Sequence, residues 1–203
     1  MRKRIYISAD YSLDDGDRNV VDVLNQWGSD NQHLVSFVDM AAVKSGSVSQ
    51  GSDCRPCELK NEFNRQINAS SAVIFVVGDK TASRAAGSVC SRNTTPYAQC
   101  SCTPYKQNTN GTQRCKFENI YPVGPDDDVG NVNTFSYLRH EFEQAKKRGK
   151  DIIIVYNSMK NQPDWLPAYM KGYESHAFPF WRKDWWDNRV GNYVAIKQAL
   201  GYE

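Results

Sequence analysis

Glu141 is the residue of this chain best placed for charge-stabilising chemistry. It stands in Asn133-Thr-Phe-Ser-Tyr-Leu-Arg-His-Glu-Phe-Glu-Gln-Ala-Lys-Lys-Arg-Gly149, directly ahead of Asp151-Ile-Ile-Ile-Val-Tyr156. Phe135, Leu138, Phe142 and Ala145 fall at helical spacing and form an apolar stripe. Glu141 lies roughly 80° round the helical wheel from the middle of that stripe, at the border of the core. Tyr137, one turn earlier, shares its side of the helix. A carboxylate at such a border is partly desolvated and held still, which suits catalysis. The plain alternative is a half-exposed helix glutamate.

The six cysteines are the second source of chemistry. Cys90, Cys100, Cys102 and Cys115 share one polar segment. A segment with so little apolar content needs another source of order, and a tetrahedral zinc site on those four would supply it. Free thiols or opportunistic disulfides are the alternative. Cys54-Arg-Pro-Cys57 has the spacing of a redox pair but follows the second strand rather than the first. Asp10, Asp39 and Asp79 each fall at the carboxyl end of a predicted strand, the ligand-binding edge of an open α/β sheet. They suit either magnesium, as in a phosphoacceptor receiver domain, or the capping of helices. His33, His140 and His176 are scattered and read as structural or exposed. No nucleophile-elbow, phosphate-loop or dinucleotide fingerprint occurs.

The elements that would position these groups follow from periodicity. Arg4–Ser8, His33–Asp39, Ser71–Val77 and Ile152–Val155 read as strands. The face Val20, Val21, Val23, Leu24 and Trp27 gives a first helix, and Leu59, Phe63 and Ile67 a second. Asp53 is placed to cap the second helix, and Asn133 or Thr134 to cap the helix that carries Glu141. Lys146, Lys147 and Arg148 suit that helix's last turn, and Gly149 suits its C′ position. Continuous apolar strands separated by amphipathic helices predict a parallel sheet covered on both faces, doubly wound in three layers. Residues 82–131 break the pattern and read as an inserted polar, cysteine-containing lid or subdomain after the third strand. The aromatic run Phe178–Trp186 predicts a short strand and a covering segment, and Asn188–Leu200 a closing helix.

At 203 residues the chain is the size of a single domain, residues 1–203, with this one insertion. A formal net charge of +2 and the lack of a long basic run give no sign of a nucleic-acid partner. The apolar stretch after Met1-Arg-Lys-Arg4 is too short for a signal-peptide core, and no segment suits a bilayer span, so the chain reads as cytoplasmic.

These residues together resemble a family. Arg4-Ile-Tyr-Ile-Ser8 looks like the first strand of a Toll/interleukin-1 receptor (TIR) domain. Asp17-Arg18 ahead of Trp27 resembles the first helix of TIR-like proteins of the bacterial Thoeris anti-phage system, the ThsB-type branch. Tyr137-Leu-Arg-His-Glu141 is similar to that family's Trp-x-x-x-Glu signature, with tyrosine in place of tryptophan. The resemblance spans roughly residues 1–80 and 132–160 on a flavodoxin-like layout and leaves out the cysteine-bearing insertion. It implies cleavage of the nicotinamide–ribose bond of NAD, by hydrolysis or by cyclisation to a signalling ADP-ribose isomer. It implies that Glu141 is the essential carboxylate, with Ser8, Asp10, Tyr11, Asp39 and Tyr137 lining the substrate. It also implies self-association through the Gly/Ser-rich loop 40–52. The same fold could instead serve as a non-catalytic nucleotide-binding or protein-interaction module.

Overall fold

The apolar runs of the sequence become one parallel sheet. The computed structural model describes residues 3–10, 16–30, 35–38, 55–84, 105–107, 113–115 and 136–202. Its strands are β1 (Lys3–Ser8), β2 (Val35–Val38), β3 (Ala72–Val77), the short pair β4 (Tyr105–Gln107) and β5 (Gln113–Cys115), β6 (Asp151–Tyr156), β7 (Ala177–Pro179), β8 (Trp181–Lys183) and β9 (Arg189–Gly191). Its helices are α1 (Arg18–Ser29), α2 (Arg55–Asn68), α3 (Tyr137–Lys147) and α4 (Tyr193–Ala199). The five-stranded sheet has the order β2-β1-β3-β6-β7, and every pair in it is parallel. That order, 2-1-3-4-5 counted over the sheet strands alone, is the flavodoxin-like winding.

β3 explains why the sheet must be covered twice. All six of its residues are buried, and side chains alternate between the two faces. Ala72, Ile74 and Val76 join Val20, Val21 and Leu24 of α1 and Ile196 of α4. Val73, Phe75 and Val77 join Phe63 and Ile67 of α2 and Phe142 and Ala145 of α3. A three-layer sandwich results, with α1 and α4 on one face and α2 and α3 on the other. β1 obeys the same alternation. Ile5, Ile7 and Ala9 face α1, while Tyr6 faces the α2–α3 side.

α3 closes at its C-terminus as its sequence predicts. Gly149 takes the left-handed conformation at φ 59°. Its N–H donates to Lys146 O and the Lys150 N–H donates to Ala145 O, both at 3.0 Å, the paired bonds of a Schellman stop. The N-cap differs from expectation. Ser136 holds the position and its side chain accepts from Arg139 N, while Asn133 and Thr134 lie outside the described residues.

Two further expectations fail in the C-terminal quarter. Val190 is not helical: Arg189–Gly191 pairs antiparallel with Trp181–Lys183, and α4 starts only after Asn192. The local cause is a turn built on Asp184, whose Oδ1 accepts from Trp186 N and Asn188 N at 2.9 and 2.8 Å. Asn192 then caps α4 through Ala195 N. The covering segment fails only in part: Phe178 lies in β7 and Phe180 and Trp181 are buried in the core, but Trp185 and Trp186 are 97% and 81% exposed at the tip of that hairpin. Asp53, His33, Asp39 and the loop 40–52 lie outside the described residues. So does most of 82–131, where the described part includes the antiparallel pair β4–β5. No helix among the described residues is long and apolar enough to cross a membrane.

Candidate active site at the carboxyl end of the first strand

Glu141 sits deeper than its place on the helical wheel suggests. It is 2% exposed, inside the α2–α3 layer rather than at its border. Two hydroxyls of one strand hold it. Tyr6 Oη donates to Glu141 Oε1 at 2.6 Å, and Ser8 Oγ donates to Oε2. Tyr6 and Ser8 are two residues apart on β1, so the strand's period of two presents both to α3. Ser8 is the last residue of β1, which puts the carboxyl group at the carboxyl edge of the sheet, where open α/β folds bind ligands. Burial raises the Glu141 carboxyl to about 7, against the hydrogen bonds from Ser8 and Tyr6, which favour its ionised form. It therefore changes charge near neutral pH.

The surrounding side chains fix α3 in place. Phe142 is fully buried and meets Phe75, Tyr173 and Tyr169 at ring-centroid distances of 5.4, 5.1 and 5.8 Å. Tyr137 turns its ring edge-on to Phe63 of α2 at 5.5 Å. His140, read as structural or exposed, is buried, and its Nε2 lies 3.0 Å from Asn64 Oδ1. Tyr169 places a buried hydroxyl beside Ser136 and within reach of the Glu141 charge.

A second carboxylate occupies the same sheet edge on the α1 face. Asp17 is 4% exposed. It stands at the N-cap position of α1, yet its side chain makes no cap bond. Instead Asn157 Nδ2, just beyond β6, donates to Asp17 Oδ1 at 2.8 Å. Burial raises Asp17 to about 6; the Asn157 hydrogen bond opposes this, and the nearby Asp10 and Asp79 charges add to it. Gly78, just after β3, lets this carboxyl come close to the backbone, since a Cβ on it would come within 2.6 Å of Asp17 Oδ1 and the side chain would have to shift.

The predicted site residues thus separate into groups. Ser8 and Glu141 come together. Asp10 is an ion-pair partner of Arg84 at 2.5 Å, and Asp79 is exposed in the turn after β3. Tyr11 and Asp39 lie outside the described residues, as do Cys54, Cys90, Cys100 and Cys102; Cys57 falls in α2, and Cys115 ends β5. Among the described residues no group of three or more His, Cys, Asp or Glu is placed to hold a metal. Sequence reasoning missed Tyr6, Asp17, Asn157 and Tyr169. Only Tyr6 carried a usable signal, since strand alternation puts it on the same face as Ser8.

Fold and site together define a flavodoxin-like α/β protein with a buried carboxyl group, raised to about 7, at the carboxyl edge of its sheet. No family model matches the chain, and no curated protein matches it in sequence. Among solved structures it is similar to a prokaryotic SEFIR domain, with 14% identity, 98% of this chain and 94% of that chain covered, and a TM-score of 0.43.

Proposed function

We propose that this chain is a TIR-like enzyme that breaks the nicotinamide–ribose bond of NAD, with Glu141 as the catalytic carboxylate. The observation that carries the reading is the Glu141 carboxyl group fixed by Ser8 and Tyr6 at the end of β1. In that reaction the C–N electron pair leaves with nicotinamide, and positive oxocarbenium character builds on the ribose. A desolvated, preorganised carboxylate beside the sugar stabilises that charge without having to reorganise. Water then completes a hydrolysis, or a nucleophile within the ADP-ribose closes a ring. The part such a product would play in anti-phage signalling rests on the resemblance of Arg4–Ser8, Asp17-Arg18 and Tyr137–Glu141 alone.

A second reading has one observation in its favour. Both Glu141 oxygens are already satisfied by the chain's own hydroxyls, as they would be in a structural network of a non-catalytic binding module. Nicotinamide release from NAD by concentrated protein separates the two. The wild type is expected to release nicotinamide. Glu141→Gln keeps the volume and can still bond Ser8 and Tyr6, so it is expected to stay folded and lose at least about 100-fold in rate, the scale of removing a transition-state charge stabiliser. No release by the wild type, or undiminished release by the variant, would overturn the catalytic reading.

A further inference from the structure

Trp185 and Trp186 stand side by side at the tip of the β8–β9 hairpin, almost wholly exposed. The tip is built to hold them. Asp184 Oδ1 accepts from Trp186 N and Asn188 N, and Asp184 Oδ2 accepts from Asn188 Nδ2 at 3.2 Å. Asp184 N donates to Asn188 O at 3.0 Å, and Asp187 N to Asp184 O at 3.2 Å. Asp187 takes the left-handed conformation at φ 67°, which few residues with a Cβ adopt, and Lys183 Nζ holds its carboxylate at 2.6 Å. The base of the hairpin is anchored in the core. Phe180 and Trp181 are buried, and Trp181 Nε1 donates to Asn157 Oδ1 at 2.7 Å. Gly191 lies so near Trp27 that a Cβ on it would meet that ring at 2.7 Å. Two large apolar rings are thus kept in water in a fixed geometry, and paired exposure of this kind marks contact with another surface.

We propose that this tip is a membrane-surface anchor, its two indoles entering the headgroup region of an anionic bilayer. Residue type, charge and size each favour that occupant. An indole joins an apolar ring to a polar N–H and settles at the boundary between headgroups and hydrocarbon. Arg182, Lys183 and Arg189 are exposed on the two strands directly behind the tip, with Lys183 and Arg189 paired across the ladder. The turn's own acids direct their carboxylates to backbone N–H groups and to Lys183. Arg182 and Arg189 leave this collar positive on balance, complementary to lipid phosphates. Two indoles present about 300–500 Å² between them, short of the roughly 800 Å² that each partner gives a stable protein interface. A bilayer sets no such minimum, because binding grows with the apolar area inserted and with the attraction of the basic groups. The contact is peripheral, and it is independent of the reading of Glu141.

Cosedimentation of the whole chain with vesicles tests it, using phosphatidylcholine alone and phosphatidylcholine mixed with phosphatidylglycerol. The wild type is expected to bind the mixed vesicles more tightly than the neutral ones, with its tryptophan emission moving to shorter wavelength. The Trp185→Ala/Trp186→Ala double variant loses two exposed rings and no core packing, so its thermal midpoint should match the wild type. Its affinity for the mixed vesicles should fall at least about tenfold. Arg182→Gln should weaken binding to the mixed vesicles about fivefold, the worth of one basic residue near an anionic surface. Lipid brominated in its acyl chains should quench the wild-type emission and leave that of the bound or unbound double variant unchanged, which reads insertion directly. A wild type that sediments with neither lipid, or a double variant that binds as well as the wild type, overturns the proposal. Equal wild-type binding to both lipids overturns its anionic part. Self-association of the free chain in analytical ultracentrifugation, abolished in the double variant and without vesicle binding, overturns it in favour of a second copy at the tip.

Discussion

A carboxyl group that titrates near 7 gives a catalytic carboxylate a definite pH signature. As the proposed catalytic carboxylate, Glu141 must be ionised to stabilise an oxocarbenium ion, and burial holds about half the molecules neutral at that pH. kcat/KM for NAD cleavage is therefore expected to rise with pH through about 7 and then level off. The two hydroxyl donors set where that limb falls. Both lower the carboxyl's pKa, against burial, so removing one moves it further up. Ser8→Ala should shift the limb upward by about one pH unit, the worth of a hydrogen bond to a charged group. Tyr6→Phe should act in the same direction. The check is the pH dependence of nicotinamide release in the three proteins. A limb that stays fixed while activity falls would mean that Ser8 and Tyr6 serve packing alone.

At the scale of elements, α3 shows how much of the site was legible in sequence. Its apolar stripe Leu138, Phe142, Ala145, its basic last turn and its glycine stop all correspond to structure. β1, β3 and β6 were readable from unbroken apolar runs, because a strand buried on both faces leaves no other pattern. The depth of Glu141 was not readable, since a helical wheel gives an angle and the burial comes from β1 and the neighbouring layer. The β8–β9 hairpin was hidden by its three-residue strands and by a turn that depends on one aspartate. Phe142 links the legible stripe to the site, since it packs three aromatic rings directly beside Glu141. Phe142→Ala is expected to cost about 3–5 kcal/mol, lowering the thermal midpoint by roughly 10 °C in a chain of this size. Phe142→Leu should cost less than half as much. Thermal unfolding followed by circular dichroism measures both. Near-equal midpoints would show that the α2–α3 layer is far looser than its packing.

Across the whole molecule, two buried carboxyl groups on opposite faces of the sheet give folding an unusual pH dependence. Glu141 rises from 4.5 to about 7 and Asp17 from 3.8 to about 6, burial being the main cause in each. A group whose folded pKa lies above its unfolded one binds its proton more tightly in the native state. Its stabilisation is whole below the unfolded pKa and is lost as pH climbs through the folded pKa. Each group thus removes up to about 1.4 kcal/mol per pH unit across its window. Glu174 works the other way, held below its usual range by backbone hydrogen bonds, its own N–H and that of Gly172 among them, so its contribution fades only in stronger acid. The wild type should therefore be most stable near pH 4–5 and lose a few kcal/mol by about pH 7. Activity as proposed here climbs over part of that same range, so the charge that serves catalysis is gained at the expense of the fold. Urea midpoints measured from about pH 4.5 to 7.5 check this. Asp17→Asn keeps an acceptor for Asn157, and Glu141→Gln keeps partners for Ser8 and Tyr6; each should flatten its own part of the slope, and the double variant most of it. A wild-type midpoint that rises steadily across that interval would mean that neither carboxyl group is desolvated in the folded chain.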